Sequence, residues 1–327
     1  MKKTLIAIAA LAAVGSSFAG TTVYGKLDAG VFNTPKDGTS VGLSGFETSR
    51  FGIKGEEKAG GLTLSAVLEA KVNDDKSSKD GQAAVMGFDR TAIVGVSGSL
   101  GTVTIGNQWT PFDNAAWTSD ALEYAIKFTP LQSGLWNYDV GNTQMGNAKN
   151  SVQYATPVIS GFQAFVLTAP NVTGNTQGAA NYSGVGINYA NGPLVINFAT
   201  QAYSTFPVTK DNVTTTHTET VNSSVLAVNY DLGVAKLYGG LFNTDSGTDA
   251  GGKDTGFTVG VALPFGADSV RVGYGSNKTS IKNSADTTGS AWSAMYMKPL
   301  TKAALGYAAV MSKDSVTTSG VGIRYDF

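Results

Sequence analysis

Few residues in this chain could carry covalent or metal chemistry. It has one histidine, His217, and no cysteine. The missing cysteines exclude a disulfide framework and a thiolate metal site. His217 lies in Thr214-Thr-Thr-His-Thr-Glu-Thr220 with no partner ligand nearby, and reads as a solvated residue of an external loop. A serine–histidine hydrolase would need that imidazole elsewhere. The run from Asp245 to Asp254 faintly suggests a calcium loop, but it lacks the fixed ligand spacing and the terminal Glu, so it reads as a polar connection. No enzyme, no cofactor and no metal is expected. What remains is fixed charge. Arginine is scarce, with four in 327 residues. Acids concentrate in an unusual stretch, where Asp113, Asp120 and Glu123 sit among Trp109, Phe112, Trp117, Tyr124, Phe128 and Trp136.

That stretch, 109–146, is the exception in the chain because it does not alternate. Long structureless connections inside a compact domain are rare and usually functional. One so rich in aromatics would leave too much apolar surface in water if it were free. The expectation is that the rest of the chain builds a wall and this stretch folds against its inside.

The wall is legible as alternation. From Thr21 to Phe32, Val23, Gly25, Leu27, Ala29 and Val31 point one way, and Tyr24, Lys26 and Asp28 the other. Ser49 to Glu56 and Leu62 to Val72 repeat the pattern around the turn at Lys58–Gly61. Seven short turns and eight longer polar connections join about 16 strands. The long connections are read at 33–48, 73–87, 109–147, 170–182, 204–222, 244–254, 278–289 and 313–319. An even number of amphipathic strands, short-looped on one side and long-looped on the other, is the pattern of a transmembrane antiparallel β-barrel in an all-β fold. A soluble sandwich would carry more charge than the 14% found here, and a propeller would show a repeat that is absent. No run is long and apolar enough for a membrane helix, which does not exclude a membrane protein, since a spanning strand needs only about 9–11 residues, apolar on alternate positions. Aromatics such as Tyr154, Phe162, Tyr189, Trp292 and Tyr296 gather near strand ends, as in the girdles of such barrels.

Residues 1–19 read as a signal peptide: Lys2 and Lys3, a short apolar run, then Ser17-Phe18-Ala19 before the cut. Loss of two lysines takes the formal net charge from −1 to −3, so residues 20–327 give no hint of nucleic-acid binding.

Several short motifs, weak singly but ordered along the chain, carry a resemblance. They are Val23-Tyr-Gly-Lys-Leu-Asp28, Ser49-Arg-Phe-Gly-Ile-Lys-Gly55, Phe88-Asp-Arg-Thr-Ala-Ile-Val-Gly95, Leu100-Gly-Thr-Val-Thr-Ile-Gly106, Gln108-Trp-Thr-Pro111 and Asn150-Ser-Val-Gln-Tyr154, with a terminal Phe327. In these the chain resembles the general porins of Gram-negative bacteria, most nearly those of β-proteobacteria. The resemblance covers the whole chain after residue 19. It implies a 16-stranded barrel in the outer membrane, three barrels per assembly, and a long third loop folded into each lumen. It implies a last strand, with Ile323, Tyr325 and Phe327 facing outward, that is read by the barrel-assembly machinery. It also implies that the connection at 73–87 latches onto a neighbouring subunit.

The resemblance further places Lys26, Arg50 and Arg90 on the wall of a constriction. Strand parity turns them from the lipid side, and Lys149 has the parity to join them. Asp113, Asp120 and Glu123 would face them from the loop, and such opposed charges set a transverse field. Asn107 and Asn147 stand where this family often has arginine, which thins the positive side. The expected function is a general diffusion channel for ions and small hydrophilic solutes. A substrate-selective channel or surface-binding barrel, with the aromatics of 109–138 as a stacking track, is the alternative.

Overall fold

The structure is a computed structural model that describes residues 20–35, 38–72, 87–131, 146–170, 181–210, 213–247 and 252–327. The signal segment 1–19, the 73–87 latch up to residue 86, and residues 132–145 of the long stretch lie outside the described residues.

Seventeen strands form one antiparallel sheet. They are β1 (Thr22–Thr34), β2 (Gly38–Leu43), β3 (Arg50–Ala59), β4 (Leu62–Lys71), β5 (Thr91–Gly98), β6 (Gly101–Trp109), β7 (Asn147–Ala155), β8 (Phe162–Pro170), β9 (Asn181–Asn191), β10 (Leu194–Lys210), β11 (Val213–Asp231), β12 (Lys236–Asp245), β13 (Lys253–Phe265), β14 (Asp268–Ser280), β15 (Thr287–Pro299), β16 (Ala304–Lys313) and β17 (Val316–Asp326). One short helix, α1 (Pro111–Trp117), follows β6. From β3 onward each strand pairs with its sequence neighbours, and β17 returns to β1 to close the ring. β1 pairs with β2 along one half and with β3 along the other. These two therefore share one position, and the closed wall has 16 strands with one extra strand in the count.

The alternation produces two faces. Outside are exposed apolar side chains such as Val23, Leu27, Val94, Ile105, Val166, Ile187, Leu241, Val259 and Ile323. A soluble protein would not display that much apolar surface, whereas lipid accepts it. Aromatics border the face at the short-turn end, where Phe162 packs tilted against Tyr189 with ring centroids 4.4 Å apart and Phe265 stacks on Tyr296 at 6.2 Å. Near the other end stand Phe257, Tyr274 and Trp292. The seam is closed by Phe327, whose backbone N–H donates to Gly25 O at 3.1 Å and whose carbonyl accepts from Gly25 N at 2.9 Å. Its ring lies over Gly25, where a Cβ would stand 2.4 Å from the ring.

Three connections are shorter than the sequence indicates. Residues 33–48 contain β2; 204–222 belong largely to β10 and β11; 313–319 shrink to a tight turn at Asp314–Ser315, both at positive φ. His217 accordingly lies on β11, opposite Phe206, and not in a loop. Threonine-rich runs lack an apolar alternation, so their strands pass for loops when only hydropathy is followed, although β-branched residues favour strands.

Candidate functional site

The segment after β6 begins with a helix cap. The Thr110 hydroxyl accepts from Asp113 N at 3.1 Å and Pro111 occupies the first helical position. Thr110 N also donates to Gly146 O at 2.9 Å, which ties the two ends of the excursion together. Phe112, Ala115 and Ala116 of α1 bury against Ala199, Val225, Ala227 and Phe242. Just beyond, Thr118 receives two wall asparagines: Asn197 donates to its hydroxyl and Asn229 to its carbonyl at 3.2 Å.

The segment then meets a row of wall glycines. A Cβ on Gly240, Gly260, Gly273 or Gly275 would come within 2.5–2.7 Å of Ser119, Ala121, Leu122 or Pro130. Only glycine permits so close an approach. Arg271 of β14 donates to Ala121 O at 3.0 Å and pairs with Glu123 at 2.7 Å. Farther on, Phe128 packs with Phe32, Phe46, Met295 and Tyr307. Every one of these wall partners belongs to the face opposite the exposed apolar one.

The structure separates the three acids expected to face the wall cations. Asp120 is a knot inside the segment. Its carboxylate accepts from Leu122 N at 2.9 Å, Tyr124 N at 2.7 Å and the Thr129 hydroxyl at 2.7 Å. Asp113 is also buried and accepts from the Tyr124 hydroxyl at 2.9 Å. Burial, partly offset by the Tyr124 hydrogen bond, pushes its carboxyl up to about 7. Burial raises Asp120 as well. Glu123 keeps a half-exposed side chain, paired with Arg271. A short acid in a tightly turned segment bonds to its own backbone donors before it can reach the opposite wall.

The wall cations do converge. Lys26 stands opposite Arg50 across the β1–β3 ladder. Arg324 of β17 joins them, and Arg90 approaches from the other side. Arg90 precedes β5 by one residue, so strand parity does not aim it. Its backbone N–H bonds to Glu69 O at 3.2 Å and its Nε to Glu69 Oε1 at 2.7 Å, while its guanidinium lies 5.1 Å over the Trp109 ring. Asn107 and Asn147 hold this corner from behind, donating to Asp89 O at 2.8 Å and Arg90 O at 2.7 Å. Lys149 does not follow the alternation. A bulge lies between the Gly106–Ser151 and Gln108–Ala148 pairs, with Asn150 at φ 52°, so both Ala148 and Ser151 are buried and parity breaks at Lys149.

Sequence reasoning missed four participants. Glu47 binds Lys26 at 2.8 Å, Arg50 at 3.0 Å and Arg324 at 3.2 Å. Glu69 binds Arg90, lies 3.5 Å from Arg50 and accepts from the Tyr24 hydroxyl at 3.1 Å. Arg324 also pairs with Asp326 at 3.1 Å. Inward parity marks Glu69, Arg324 and Asp326 in the sequence, whereas Glu47 sits in a stretch without pattern. The cluster thus interleaves four cations with three acids, and its net charge is far smaller than the cations alone suggest. Among the described residues no group of three or more His, Cys, Asp or Glu could hold a metal ion. Asp245 instead pairs with Lys253 at 2.9 Å, and Asp254 accepts from Asn277 at 3.1 Å.

Comparison with known proteins places this architecture. The outer membrane porin protein 32 of Delftia acidovorans is 32% identical over 286 residues, covering 81% of this chain and 77% of that protein. The major outer membrane protein P.IB of Neisseria gonorrhoeae is 29% identical over 61% of this chain and 56% of its own. Among solved structures, an anion-selective porin from Comamonas acidovorans superposes with a TM-score of 0.76 at 25% identity, covering 94% of this chain and 99% of that one. OmpT of Vibrio cholerae, in a trimer form, shares the fold at a TM-score of 0.74 and 17% identity, covering 94% of this chain and 99% of its own. The family described as Gram-negative porin matches residues 4–318, so this outer-membrane barrel belongs to the Gram-negative porins.

Proposed function

We propose that the chain is a general diffusion porin: a water-filled channel that passes ions and small hydrophilic solutes without turnover. The observation that carries this is the pairing of a closed wall, apolar outside, with a charged cluster on its inner face. In this reading the segment 109–146 folds into the lumen and sets the size limit, and residues 20–327 form the barrel after cleavage of residues 1–19. Lys26, Arg50, Arg90 and Arg324 line one side of the neck. Glu123, with Arg271, lies on the loop side, while Asp113 and Asp120 hold the loop's shape.

Opposed charges at a narrow wet neck orient dipolar solutes and disfavour apolar ones. With three acids among four cations, the neck prefers anions weakly. Three copies form the working unit in this reading, packed through their outward apolar strands. Ile323, Tyr325 and Phe327 present an outward edge for the assembly machinery.

The test is single-channel conductance of purified protein in a planar bilayer, with reversal potential measured across a salt gradient. Stepwise insertions that close in three equal sublevels are expected. A folded, inserted protein that stays silent overturns the channel reading.

A further inference from the structure

We propose that Glu47 is a built-in carboxylate filling an anion subsite of the channel, and that residues 44–49 form an inward excursion of the wall whose task is to hold it there. This rests on the diffusion-channel reading above.

The first observation is a mismatch in length. Leu43, the last residue of β2, stands opposite Ala29, and Arg50, the first of β3, stands opposite Lys26. Only Leu27 and Asp28 lie between those partners on β1, yet six residues, 44–49, span the same distance. The surplus leaves the ladder toward the inner face. Phe46 at its tip is fully buried against Phe128 and Tyr307. Gly45 O and Phe46 O accept from Lys127 N at 3.0 Å and Ile126 N at 2.9 Å, so the excursion is docked on the long segment.

The second observation is that the excursion is pinned by a group of its own. Asp28 Oδ2 accepts from Phe46 N at 2.9 Å and from Glu47 N at 2.5 Å, while Oδ1 accepts from the Tyr307 hydroxyl at 2.7 Å. Ser49 Oγ donates to Asp28 O at 3.1 Å and accepts from Asp28 N at 3.0 Å. Asp28 is therefore a positioning residue, and Glu47 is not on a wandering loop.

The third observation is what this backbone delivers. Both carboxylate oxygens of Glu47 are engaged: Oε1 by Lys26 and Arg324, Oε2 by Arg50. Its side chain is 11% exposed. Three cations from β17, β1 and β3 around one carboxylate form the donor set that would bind a solute carboxylate or another small anion. Here the protein supplies that carboxylate itself, at effectively unlimited local concentration. Solute anions are thereby kept from lodging, and transit stays fast and weakly selective.

The test compares wild type with Glu47→Gln and Glu47→Ala in planar bilayers. Wild type must conduct, which checks the channel reading separately. Neutralising one carboxylate at a wet neck, screened over about 10 Å, acts in opposite senses on anions and cations, so both variants should shift the anion-to-cation permeability ratio toward anions by about twofold to threefold. Benzoate at millimolar concentration should block the variants and leave wild type unaffected. Conducting variants with unchanged reversal potential overturn the proposal. If neither variant inserts, the wild-type arm decides: block by benzoate means the cations are open to solute anions and overturns it, and free passage supports it.

Discussion

Asp120→Ala separates two meanings of one residue. As a lumen charge, Asp120 would govern selectivity. As the structure places it, the carboxylate satisfies Leu122 N, Tyr124 N and the Thr129 hydroxyl within a buried turn. Removing it leaves three donors without an acceptor where water does not easily reach. Each buried orphan costs about 1–3 kcal/mol, and because the turn can relax, a total of about 4 kcal/mol is expected. Every 1.4 kcal/mol is tenfold, so local opening of residues 118–131 should become about a thousandfold more frequent. The wall strands do not depend on this turn, and their thermal unfolding should change little.

The assay is single-channel recording with amide hydrogen exchange across the segment. Asp120→Ala should show frequent conductance excursions and lose protection at Leu122 and Tyr124. Asp120→Asn keeps one acceptor oxygen and should be milder, although both variants lose the same charge. Equal shifts of reversal potential in the two variants, with quiet traces, would refute the reasoning and return Asp120 to the lumen.

Other outcomes follow from single contacts. Asp113 has its carboxyl raised by burial to about 7, above its unfolded value of 3.8, so its contribution to segment stability is fully present below about 4 and is lost as pH rises through about 7. Channel noise should therefore increase from pH 5 to pH 8 in wild type, and Asp113→Asn should flatten that dependence. Arg271→Gln removes the hydrogen bond to Ala121 O and the partner of Glu123; it should shift selectivity toward cations and increase protease access to the segment, and unchanged reversal potential would count against it. Gly25→Val would drive a side chain into the Phe327 ring, and overpacking of about 1–3 kcal/mol at the seam should lower the unfolding temperature, while Gly55→Ala, which meets only a hydroxyl at 3.8 Å, should not.

The wall was readable because its pattern has a physical cause. Lipid demands apolar side chains on alternate positions, and Val23, Leu27, Ile53, Leu64 and Ile323 supply them. The inward cations Lys26 and Arg50 followed from the same parity. Parity failed where the backbone departs from the ladder: at Lys149, beside a bulge, and at Arg90, which precedes its strand. Hydropathy failed in the threonine-rich ends of β10 and β11, where nothing apolar marks the strand. The acids of the long segment were visible as charges, but their hydrogen bonds were not. A carboxylate two and four residues from the amides that donate to it looks the same in sequence whether it faces water or folds back on its own backbone. Glu47 was the hardest to find, since an excursion from a strand has no period and its partners come from β1, β3 and β17.

The excursion at 44–49 also separates two dimensions of the barrel that are usually tied. Circumference is set by strand number and register, and β2 and β3 keep both, since each holds its own ladder with β1. The shape and charge of the inner face beside Lys26, Arg50 and Arg324 are set by what leaves the ladder between them. Residues can be added, removed or exchanged there without renegotiating a single pairing around the ring. A pore engineer could treat that gap as a cartridge, trading one insert for another to change shape or charge while the frame that sits in the membrane stays the same.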